Sequence, residues 1–122
     1  MKTIIYIVDD DANVRDIFKI ILKKAGYDLK LFESGTDLLE NAGNIPDLFI
    51  IDQQLPGMKG LDICIGLKSN NLTKHVPVII ISATPDLDTA VKLAGADAYL
   101  KKPLTKNDLL NAVEKFSKMK VN

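Results

Sequence analysis

The stretch IIYIVDDDAN, residues 4–13, runs five apolar residues directly into Asp9, Asp10 and Asp11. Adjacent like charges repel and raise one another's pKa, so acids crowded at the end of an apolar strand cost stability unless something compensates them. A cation is the compensation this pattern suggests. Further residues with chemical capability close other apolar runs: Asp52 ends LFIID, Ser82 ends VIIIS, and Lys102 stands before Pro103 after AYLK. Asp9, Asp10 and Asp52 with Lys102 and Ser82 are the groups that would hold a hard cation and a phosphoryl group together. Oxygen ligands suit Mg2+, which keeps several waters and takes one or two carboxylates plus phosphate oxygens. Asp11 falls where a first helix should begin, and free N–H groups and the helix dipole make it a cap there.

Groups so far apart in sequence can act together only if the chain brings the ends of these runs to one place. IIYIV (4–8), LFII (48–51) and VIII (78–81) are unbroken apolar stretches rich in β-branched residues, the mark of strands covered on both faces. LKLF (29–32) and AYL (98–100) are shorter or more mixed and suit the edges. Between the strands run helical patterns. Val14, Ile17, Phe18, Ile21 and Ala25 share one helix face, with Gly26 as a stop. Leu38, Leu39 and Ala42 mark a short second helix, KGLDICIGLKS a third, and Leu87, Ala90, Val91 and Ala94 a fourth ended by Gly95. The fifth opens at TKND, with Thr105 as cap and Asp108 at the third position, and turns Leu109, Val113 and Phe116 inward.

Strict alternation of strand and helix predicts an α/β fold, a doubly wound parallel sheet of five strands with helices on both faces. The common flavodoxin-like order, 2-1-3-4-5, puts its ligand crevice at the carboxyl ends of strands 1 and 3. Asp9, Asp10, Asp52, Ser82 and Lys102 all lie at or just beyond carboxyl ends of strands, so the fold converges them on that crevice. Taken singly, each has a plainer role as a cap, turn residue or solvated lysine. Asp47 and Asp86 are assigned such roles, as helix caps or turn formers, and His75, alone in a loop, is assigned to the surface.

The 122 residues suffice for one domain with one core, 1–122. Lys plus Arg and Asp plus Glu both number 16, so no excess of positive charge favours nucleic acid. No apolar run approaches the roughly 18 residues of a membrane span, and the first strand is too short for a signal sequence, which predicts a cytoplasmic protein. Cys64, the single cysteine, has no partner for a disulfide or a metal site and reads as a buried structural thiol.

At these residues the sequence resembles the receiver domain of response regulators, the chemotaxis-regulator-like switches of two-component signalling. IVDDD, DLFIIDQQLPGMKGLD, VIIISAT and GADAYLKKP match its successive motifs in order, across essentially the whole chain. The resemblance implies that Asp52 accepts a phosphoryl group from a phosphohistidine on a sensor histidine kinase or histidine phosphotransfer protein. It implies Mg2+ held by Asp9, Asp10, Asp52 and the backbone carbonyl of Gln54. Lys102 would pair with phosphoryl oxygens, the Lys102–Pro103 bond would be cis, and Ser82 and Tyr99 would move on activation. Gln54 and Thr84 would tune the dephosphorylation rate. Such a domain catalyses only its own phosphorylation and dephosphorylation, signals by protein contact, and can dimerise when phosphorylated. With only KMKVN after the fifth helix, any DNA-binding output is expected to lie outside this chain, as a separate target or a lost neighbour.

One departure from the family pattern stands out: the segment from Ser82 to Lys102 is about two residues short, and the fourth helical pattern covers barely two turns. Two other classes fit less well. A phosphatase using an aspartyl nucleophile at strand 1 expects Thr or Val where Asn13 stands, and a cap insertion that this chain lacks. A flavin module would need Ser, Thr and Gly after strand 1, where acids would repel the flavin phosphate. A receiver-like domain that only docks would not need the complete set of acceptor residues found here.

Overall fold

The computed structural model describes residues 2–41 and 44–118. Five strands, β1 (Ile4–Val8), β2 (Asp28–Phe32), β3 (Leu48–Asp52), β4 (Val78–Ser82) and β5 (Ala98–Lys101), alternate with α1 (Ala12–Lys24), α2 (Gly35–Leu39), α3 (Gly60–Lys68), α4 (Asp88–Leu93) and α5 (Lys106–Lys118). The sheet is parallel throughout, in the order β2-β1-β3-β4-β5. Every residue of β3 and β4 is buried, as unbroken apolar runs require, while β2 and β5 form the edges.

The single core expected from the length is corrected: because side chains alternate across a strand, the sheet divides the interior into two clusters, one on each face. Ile5, Ile7, Ile50, Ile79 and Ile81 pack with Phe18 and Leu22 of α1 and Leu109, Val113 and Phe116 of α5. Tyr6, Val8, Phe49, Ile51 and Ile80 pack with Leu38 of α2, Ile63, Cys64 and Leu67 of α3, and Val91 of α4. Cys64 is fully buried and its Sγ donates to the Ala94 carbonyl at 3.5 Å. Burial pushes its thiol up to about 11 despite Lys68 nearby, which suits a structural residue.

The helix ends follow local chemistry. Asp11 caps α1 by accepting from the Asn13 N–H at 2.8 Å. Thr105 and Asp108 form a reciprocal capping box at α5, each side chain accepting from the other's backbone N–H at 3.0 Å. Gly26 and Gly95 take positive φ just beyond α1 and α4. Asp86 also has positive φ (60°), a turn conformation that Asp tolerates better than most residues. His75 is exposed.

Two further expectations are corrected and one is refined. Ile17 does not point into the core: it is 54% exposed and lines an apolar groove between α1 and the loop after β5. Ala25 is exposed too, because it is the C-cap residue, where the helix face no longer meets the sheet. Asp47 stands in a bend, as a turn former would, but its main role lies elsewhere: its Oδ2 accepts from the Ile4 N–H at 2.8 Å and ties the start of β1 to the start of β3. Ala42, assigned to the second helix, and Met119–Asn122 of KMKVN lie outside the described residues.

The start of α3 controls the backbone beneath the crevice. Gly60 N–H donates to the Gln53 carbonyl at 3.2 Å, and the Leu61 N–H to the Gln53 side chain at 2.7 Å. A Cβ at Gly60 would fall onto the Asp52 carbonyl oxygen and within 2.9 Å of Gln53 Cα, so only glycine lets the helix approach this closely. Gly60→Ala is expected to destabilise the fold by about 1–3 kcal/mol, the usual cost of overpacking, read as a lower urea midpoint with an unchanged slope.

Candidate functional site

At the carboxyl end of β1, Asp9 is 2% exposed and Asp10 is exposed; at the end of β3, Asp52 is 4% exposed. One carboxylate oxygen from each lies within 4.8 Å of the others. Two of these three acids are thus withdrawn from water beside a third. Lys102, carried from the β5 end by the loop into α5, reaches back across the sheet edge. Its Nζ stands 3.3 Å from Asp52 Oδ1 and 3.9 Å from Asp9 Oδ2. The peptide bond that follows it, to Pro103, is cis.

One lysine does not balance three carboxylates. Burial, first, and the neighbouring Asp52 and Asp10 charges hold the Asp9 carboxyl above its ordinary value of 3.8, against the opposing pull of the Asp11 N–H and Lys102. The Asp11 N–H donates to Asp9 Oδ1 at 2.9 Å, and Gln54 N–H approaches Asp52 Oδ1 at 3.4 Å. A residual negative charge lined entirely by hard oxygen donors is what a small divalent cation would neutralise, so the donor set fits Mg2+.

The expected residues Asp9, Asp10, Asp52 and Lys102 therefore meet in one crevice. Ser82 is fully buried at the end of β4, beside it, and Ala83, next in sequence, leaves the approach open. Ser82 Oγ donates to Gln54 Oε1 at 3.0 Å and accepts from the Thr84 N–H at 2.9 Å. Gln54 Nε2 donates to Thr84 Oγ1 at 2.6 Å. Tyr99, half-buried on β5, donates its phenol to the Thr84 carbonyl at 2.7 Å. Pro56 and Gly57, the latter at φ +80°, turn the chain away after Asp52.

Two residues that position the site escaped the sequence analysis. Arg15 Nη1 donates to the Asp9 carbonyl at 2.8 Å, fixing the backbone of the most buried acid, while Nη2 lies 3.5 Å from Glu33. Its place one helical turn after the Asp11 cap was the available signal. Gln53 holds α3 against β3, and nothing in its sequence surroundings marks that role.

Parallel order, with a lysine over buried carboxylates and a hydroxyl at the next strand end, defines a doubly wound α/β domain of the flavodoxin-like class with a polar crevice at the carboxyl ends of its strands. The response regulator receiver domain pattern matches residues 5–114, and this chain belongs to that family. It is 34% identical over 116 residues to the DNA-binding response regulator MtrA of Mycolicibacterium paratuberculosis, covering 93% of this chain and 50% of MtrA. The chain thus spans about half the length of such curated relatives. A CheY-like receiver domain protein from Methanospirillum hungatei superposes with TM-score 0.89 at 27% identity, over 98% of this chain and 96% of that one. The response regulator TrrA of Thermotoga maritima, solved in complex with Mg2+ and BeF, gives 0.84 at 30% identity, over 95% and 99%. Among the described residues no helix is long and apolar enough to cross a membrane.

The raised Asp9 pKa gives a signed pH dependence. The folded state keeps a proton that the unfolded chain has already lost, so Asp9's contribution to stability is greatest below 3.8 and declines as pH rises through its raised value. In EDTA at neutral pH, Asp9→Asn is expected to raise the melting temperature by a few degrees, the shift roughly 1 kcal/mol produces in a domain of this size. Added Mg2+ should raise the melting temperature of the wild type and do so much less for the variant, as read by calorimetry.

Proposed function

We propose that residues 1–122 act as one receiver unit in which Asp52 takes a phosphoryl group from a phosphohistidine. The donor would be a sensor histidine kinase or a histidine phosphotransfer protein. The observation that carries this reading is Lys102 Nζ at 3.3 Å from an almost wholly buried carboxylate that shares the crevice with Asp9 and Asp10. A purely structural ion pair would not need two further acids beside it.

In the proposed transfer, an Asp52 carboxylate oxygen attacks phosphorus as the N–P bond breaks, and the imidazole nitrogen leaves with the bonding pair. The product is an acyl phosphate on Asp52, which water later cleaves at phosphorus. Little covalent chemistry falls to the protein, whose task is alignment and stabilisation of charge on the transferring group. Lys102 pairs with a phosphoryl oxygen. Asp9, Asp10, Asp52 and the Gln54 carbonyl would hold Mg2+, which when bound supplies charge neutralisation for the phosphoryl oxygens. Ser82 would donate to the phosphoryl group once it forms, and Tyr99 would follow the loop that Ser82 begins.

The fit with TrrA supports the cofactor assignment, since that relative was solved with Mg2+ and BeF, a phosphoryl mimic. The apolar groove beside the crevice, with Ile17, Pro103 and Leu104 in its lining and Lys102 at its rim, gives a donor protein a surface from which to reach Asp52. Further partners, a downstream target or an output domain, are inferred from relatives such as MtrA, of which this chain corresponds to half. A cytoplasmic location is inferred with them, as is dimerisation on phosphorylation. The short α4, six residues with Leu93 84% exposed, would make the surface that signals differ from that of relatives with a longer helix.

Incubation with acetyl phosphate and Mg2+, followed by rapid quenching and intact-mass analysis, is expected to show one phosphoryl adduct on the wild type. No adduct should form on Asp52→Asn, or without Mg2+, and Lys102→Ala should slow labelling by at least about tenfold, as loss of a charged transition-state contact does. An adduct on Asp52→Asn, or none on the wild type, would overturn the assignment.

A further inference from the structure

The Ser82 hydroxyl carries one proton and can donate to one acceptor at a time. In this structure that proton is committed: Ser82 Oγ donates to Gln54 Oε1 at 3.0 Å and already accepts the Thr84 N–H. The Gln54 carboxamide is itself held from its other end, Nε2 donating to Thr84 Oγ1 at 2.6 Å. A phosphoryl oxygen on Asp52 and the Gln54 carbonyl oxygen therefore compete for the same proton.

From this competition we propose that Gln54 is a positioning residue that holds the switch at rest, by bridging the Ser82 and Thr84 hydroxyls until a phosphoryl group displaces it. The inference rests on Asp52 being the phosphoryl acceptor. It assigns the Gln54 side chain a role distinct from its backbone carbonyl and from any effect on hydrolysis. The bridge spans the ends of β3 and β4, two residues beyond Asp52 and Ser82 respectively, and locks together the two loops that border the crevice. It extends to β5, because the Thr84 carbonyl accepts the Tyr99 phenol at 2.7 Å. Release of Gln54 would free Thr84 on its side-chain face, loosening the loop on which Tyr99 is anchored. Gln54 is exposed, so water competes for its amide and the bridge is weak enough to yield to a charged acceptor.

The test is a titration of the full chain with beryllofluoride in Mg2+, followed by the NMR shift of the Thr84 amide, whose N–H reports on Ser82 Oγ. Gln54→Leu removes both hydrogen-bonding atoms at similar bulk, and Gln54→Ala serves as a second variant. Both are expected to bind beryllofluoride about two- to tenfold more tightly than the wild type, the range one neutral hydrogen bond spans. In the Ser82→Ala background, where no proton is contested, Gln54→Leu should leave the affinity unchanged, a coupling that a merely structural role would not produce. Equal or weaker binding by both Gln54 variants, or the same gain in the Ser82→Ala background, would overturn the latch while leaving the phosphoryl acceptor in place. Failure of the wild type to bind beryllofluoride at all would remove the acceptor assignment and the latch with it.

Discussion

Three carboxylates drawn together at the ends of two adjacent strands, two of them out of water, set the terms for everything around them. Left alone they would repel, and burial holds the Asp9 carboxyl above its ordinary value. Lys102 offsets part of that cost from one side, the Asp11 N–H offsets part from another, and Arg15 secures the backbone that carries Asp9. The residual negative charge fits a divalent cation, and a cation held there would in turn draw phosphoryl oxygens to the same spot. Instability at the crevice and the capacity to bind there are the same property.

The rest of the fold supplies stiffness under that strain. β3 and β4 are buried on both faces, and α3 is pressed against the end of β3 by a glycine that admits no side chain. At the opposite end of the sheet, Lys68 joins Asp97 at 2.9 Å and also donates to the Val76 carbonyl, while Asp97 accepts the Val78 N–H. These contacts pin the entry of β4 and β5 at the end of the sheet away from the crevice.

Much of this was legible in the amino-acid sequence because it follows from short-range rules. Unbroken β-branched runs announced β1, β3 and β4, and the Thr105–Asp108 spacing announced the capping box of α5. Asp9, Asp10, Asp52 and Lys102 could be placed together because parallel topology sends every carboxyl end the same way. What escaped was whatever depends on a partner distant in sequence. Asp47 read as a cap or turn former, yet it bonds to a strand that begins 43 residues earlier. Ile17 had the right periodicity for the core but faces an apolar groove between α1 and the start of α5. The bridge from Gln54 to Ser82 spans 28 residues and no local pattern encodes it.

The reach of Lys102 has a consequence for how the molecule comes into being. A ribosome lays down both buried acids, Asp9 and Asp52, well before it adds the lysine that faces them. The strand that delivers this lysine is an edge strand, held on one side only by β4. Until that edge docks, the growing chain holds its acids without the lysine that faces them. Closing the sheet and pairing the buried acids with their lysine are therefore one folding event rather than two.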